Sequence, residues 1–184
     1  MDLRWLGLLS IVTIVIAAGM PLLGRPLDWQ DSVSHSWAGS RRQLLIIAIA
    51  MSLAGTGMCA SLAWWVVPHY ALPAIMYAII LAAYIAFMAV AWLPMTDRPG
   101  EHSYLHGHFL GGSALATLAI AAMATVALFG SNVPVETRVV CSAAMVLAAG
   151  WPLLFIGPAR RIFLAFESLI AVTFSVAIVL LLVG

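Results

Sequence analysis

The chain has 184 residues, 64% of them hydrophobic and 8% charged, with a mean hydropathy of +1.09 and a formal net charge of +1. A soluble domain carries roughly 25% charged residues, so this is the composition of an integral membrane protein, and the near-neutral balance gives no footprint for nucleic acid. All eight basic residues are Arg, which excludes a Schiff-base lysine, while Cys59 and Cys141 sit in apolar runs at unrelated spacing and read as packing residues, not as a disulfide or zinc framework.

A spanning helix needs about 20 mainly apolar residues to cross about 30 Å of hydrocarbon. Six stretches qualify, at about 3–23, 43–67, 72–94, 104–129, 138–156 and 161–183. They are continuously apolar, without the period-two alternation of a barrel strand, so the expected fold is all-α: a single domain over 1–184, built as a compact six-transmembrane-helix bundle. The first stretch has Arg4 ahead of it and the small Ala17-Ala18-Gly19 near its end, as a signal peptide would. It is long enough to span and no clear cleavage site follows, so a retained helix is expected.

Loop one, from Arg25 to Arg42, is polar and holds Asp28, Asp31 and His35, with three serines between Asp31 and Trp37, closing on Arg41 and Arg42. The second helix ends at Pro68-His69-Tyr70, and His69 stands apart as an interfacial residue. Trp64, Trp65 and Tyr70 at this end, with Trp92 and Tyr104 at the other, fall where aromatic anchors meet the headgroups. Loop three and the start of the fourth helix concentrate Asp97, Arg98, Glu101, His102, His106 and His108. On a helix, His102 and His106 lie about 40° apart and Glu101 and His108 about 20° apart, so the four share one broad face. Gly107 and Gly111, Gly112 and Ala116, and the Gly55/Gly57 pair have the small-residue spacing of close helix contacts. After Gly157-Pro158 the sixth helix opens on Arg160 and Arg161 and carries Glu167 about 9 Å into the span, where a carboxylate should face the bundle interior.

With six spans, loops one, three and five share a side and hold Arg25, Arg41, Arg42, Arg98, Arg160 and Arg161, against Arg4 and Arg138 on the other. That bias places the odd loops in the cytoplasm and both termini outside, and the expected location is the bacterial inner (plasma) membrane. Loops one and three therefore meet at one membrane face. There, three readings of His106, Glu167, Asp97, His102, His108, Glu101, His35 and Asp31 compete. The His102/His106 pair with Glu167 could hold a divalent metal such as zinc, although the His-Glu-x-x-His order of a metalloprotease is absent. A proton-responsive or headgroup-binding pocket would use the histidines, with Arg41, Arg42, Arg98 or Arg160 on a lipid phosphate. An ordinary interfacial hydrogen-bond network is the third.

The segments Trp92-Leu-Pro-Met-Thr-Asp97 and Leu105-His-Gly107, the loop Ser32-Val-Ser-His-Ser-Trp-Ala-Gly39 and the opening Gly157-Pro-Ala-Arg-Arg-Ile-Phe-Leu-Ala-Phe-Glu167 resemble the six-span membrane family called domain of unknown function 998. More distantly the layout is similar to the Frag and DRAM type of six-span proteins. The resemblance implies a six-helix bundle and points to Asp97, His106 and Glu167. His102 and His108 crowd what is usually a single histidine, and loop one reads Ser-His-Ser-Trp where a shorter Ile-Ser motif is typical. The eukaryotic relatives also place the first loop outside, against the arginine bias here.

The leading expectation is a non-enzymatic protein that binds or senses a lipid or small amphiphile at the face formed by loops one and three, with no cofactor and with membrane lipids as its partners. The alternatives are a metal-dependent membrane hydrolase using His102 and His106, and an accessory subunit that packs against another membrane protein or a second copy of the chain.

Overall fold

The computed structural model describes residues 2–19, 41–92, 102–150 and 163–184, and within them the side chains of all but 18, 41, 43, 44, 102–110, 163 and 164. The described residues are almost wholly helical, with no strand among them. The helices are α1 (Leu3–Gly19), α2 (Arg41–Ser61), a π-helical segment (Leu62–Val66), α3 (Val67–His69), α4 (Ile75–Trp92), α5 (His102–Phe129), α6 (Val135–Ala149) and α7 (Phe163–Val183). Among the described residues four stretches are long and apolar enough to cross a membrane, Leu45–His69, Ile75–Trp92, Gly111–Phe129 and Ala165–Val183, and Leu3–Ala17 is a shorter apolar helix. This is the architecture of an integral membrane protein.

α2, the π segment and α3 form one continuous rod, and the wide turn has a local cause. Pro68 offers no N–H to the carbonyl four residues back and its ring crowds that carbonyl. The preceding turn opens instead, so that the Val67 N–H bonds to the Leu62 carbonyl. The rod ends in a Schellman motif: Leu72 N–H reaches Val67 O at 2.9 Å and Ala71 N–H reaches Pro68 O at 3.2 Å. Ala71 occupies the left-handed position with φ 50°, where glycine is usual. Leu72 and Val67, the apolar pair that accompanies this cap, are both buried.

Consecutive helices pack as antiparallel neighbours, α1 on α2, α2 on α4, α4 on α5, α5 on α6 and α6 on α7, and α7 returns to α1, closing a ring. Glycines set the closest approaches. A side chain at Gly7 would meet Leu182 at 2.7 Å and Ser61 at 2.9 Å, so α1, α2 and α7 converge there. Gly57 faces Ser10 and Leu6 of α1, Gly55 faces Phe87 of α4, and Gly111 faces Val90. The expected small-residue contacts at Gly55, Gly57 and Gly111 are therefore present, each against a different helix face. The Ser61 hydroxyl, fully buried, lies 2.7 Å from Leu3 O and 2.9 Å from Gly57 O, tying the start of α1 to the end of α2.

These contacts put the start of α1, the 70–74 and 130–134 turns and the end of α7 at one end of the bundle. The core collects there: Val66, Val67, Tyr70, Met76, Val126, Val133, Cys141, Ala144, Leu181 and Leu182 form one buried cluster, while Ile47 and Met51 make a smaller one toward the other end. Cys141 lies in that core and Cys59 packs against it, as expected of packing cysteines.

Several predicted limits move. The third predicted helix, 72–94, begins only at Ile75, because Leu72 completes the cap and Pro73 and Ala74 carry the turn, accepting from Met76 and Tyr77. The fifth, 138–156, starts at Val135 with Pro134 as its N-cap and stops at Ala149, where Gly150 turns the chain back onto Leu147 O. Hydropathy skipped the polar first turn with Glu136, a favourable charge at a helix N-terminus, and the predicted positions 151–156 lie outside the described residues. Arg138 is thus inside the helix, and its guanidinium donates to Ala127 O at 2.9 and 2.7 Å, satisfying an orphan carbonyl of α5.

Three substitutions test this structure through the stability of the detergent-purified protein. Gly7→Val forces three helices apart and should cost about 1–3 kcal/mol. Gly19→Ala, which meets nothing within 4 Å, should leave the thermal midpoint of detergent-purified protein unchanged. Ala71→Gly should raise that midpoint, through a gain of up to about 1 kcal/mol of stability, by relieving the left-handed alanine.

Candidate functional site

Of the residues expected to form a pocket, Asp31, His35, Asp97, Arg98, Glu101 and Arg160 lie outside the described residues, as does the Asp28 carboxylate. His102, His106 and His108 are on the first turns of α5, of which only the backbone is described. At 28 residues α5 is about 42 Å long, and its described stretch Gly111–Phe129 is long and apolar enough to cross a membrane. Arg41 opens α2 and Arg42 is exposed beside it. Glu167 is in the second turn of α7, half-buried and engaged with a partner.

The ring places the starts of α2, α5 and α7 at the same end, opposite the buried cluster. α5 and α7 both flank α6, so the helices carrying His106 and Glu167 are alternate members of the ring. The end of α6 presses on α7 beside Glu167: a side chain at Gly150 would meet the Phe166 ring at 2.9 Å.

Packing changes along the bundle. The largest fully buried side chains, Leu181, Leu182, Val66, Val67, Val126, Cys141 and Ser61, all lie toward the end with the 70–74 turn. Toward the other end, no described residue is buried in 81–92 of α4, 111–122 of α5 or 165–176 of α7. Hydroxyls in this looser half are satisfied within their own helices, Thr117 by Ser113 O and Thr173 by Leu169 O. Glu167 is the acid of this half among the described residues.

At the tightly packed end stands a cluster that the linear sequence conceals. Asp2 caps α1, accepting the Arg4 N–H at 3.0 Å, and takes the Arg4 Nε and Nη2 donors at 2.9 and 2.7 Å. The Arg4 guanidinium lies 4.7 Å from the Trp65 ring, Trp65 stacks on His69 at 4.7 Å, and His69 meets the Tyr70 ring edge-on. Tyr70 was expected as an interfacial anchor; it is instead 3% exposed, a plug in the core. Its ring follows the capped end of the rod inward, and burial pushes its phenol above the ordinary value. Neither the Tyr70 hydroxyl nor the Trp65 indole N–H has a hydrogen-bond partner among the described residues. The Trp65/His69 spacing of four was the available signal for this stack. Nothing in the sequence pairs it with Arg4.

Among the described residues no three His, Cys, Asp or Glu side chains converge as metal ligands; the His102/His106 set proposed for a metal lies outside the described side chains. Compared with known proteins, the chain matches no protein-family model, no curated protein and no solved structure.

The Asp2 carboxyl is held below its ordinary value chiefly by the hydrogen bond from the Arg4 side chain. A depressed folded-state value means the pair contributes fully above the ordinary carboxylate range, about pH 4, and is lost as the pH falls through the lowered value. The thermal midpoint should therefore decline across that acid window in the parent protein by more than it does in Asp2→Asn, which has no carboxyl to titrate there.

Proposed function

We propose that the chain is a six-span, non-enzymatic integral membrane protein that binds or senses a lipid or small amphiphile in a polar pocket at the loop-one and loop-three face. The observation that carries this reading is the packing gradient around Glu167. An ionisable group in an apolar span is costly unless it faces a polar interior, and here it sits where the described interior is least tightly filled. His106 and Glu167 form the intramembrane polar core, with Asp97, His102 and His108 at the mouth. Arg41, Arg42, Arg98 and Arg160 supply the charge for a lipid phosphate.

Six spans are supported by the ring itself. α1 and α6, at 17 and 15 residues, reach about 25 and 22 Å, and each provides wall that its neighbours need, α1 at Gly7 and α6 at Cys141 and Ala144. The resemblance to the domain of unknown function 998 family implies the same count. The arginine bias favours odd loops in the cytoplasm of a bacterial inner membrane, with both termini outside.

Mass spectrometry of lipids retained by the purified protein tests the reading. A specific lipid should co-purify with the parent chain and be lost from both His106→Ala and Glu167→Gln. Unchanged lipid content in both variants would sink it.

A further inference from the structure

We draw no further inference here: the strongest candidate, the Arg4–Trp65–His69–Tyr70 cluster where the start of α1 meets the end of the α2 rod, is already closed on itself, with Asp2 holding the Arg4 guanidinium, Trp65 and His69 stacked on each other, and the Trp65 indole N–H and Tyr70 hydroxyl, unpartnered among the described residues, buried out of reach of a ligand.

Discussion

The junction at Gly7, Gly57 and Ser61 governs this bundle, because helices in hydrocarbon gain little from hiding apolar surface and must associate through close contact and polar ties. Gly7 lets α1 meet α2 and α7 together, and Gly57 brings α2 onto Ser10 of α1. Ser61 places a hydroxyl against the Leu3 carbonyl, a group that hydrocarbon would leave wanting a partner. With that junction in place α7 returns to α1 and the ring is closed; a larger side chain at Gly7 would hold the last helix away from the first.

Much of the polar architecture at this end depends on that closure. The Schellman cap at Ala71 and the Arg138 bonds to Ala127 O satisfy backbone groups at helix ends, so both turns are drawn tightly into the core. Arg4 is brought over Trp65 because α1 lies against the end of the second rod. Tyr70 then fills the centre with its ring, at the cost of an unpartnered hydroxyl.

The opposite half is built differently. There the described residues 81–92, 111–122 and 165–176 include none that is buried, and local stability falls where buried contacts are few. Binding sites tend to occupy such places, since a ligand supplies the contacts that the side chains do not make. The proposed pocket near Glu167 uses this looser interior.

The sequence alone established the helical class, the four longest apolar spans and the close contacts at Gly55, Gly57 and Gly111, since each rests on local composition or fixed helical spacing. It also located Glu167 as an acid within an apolar helix. The π turn ahead of Pro68, the stop at Gly150 and the start at Val135 were harder to read, because hydropathy averages over caps and breakers. Burial of Tyr70, the Arg4–Trp65–His69 stack and the ring closure at Gly7 were decided only by tertiary structure. Each depends on which faces of helices distant in sequence come together, and a nearly uniform apolar helix in lipid carries little periodic pattern to announce its inward face.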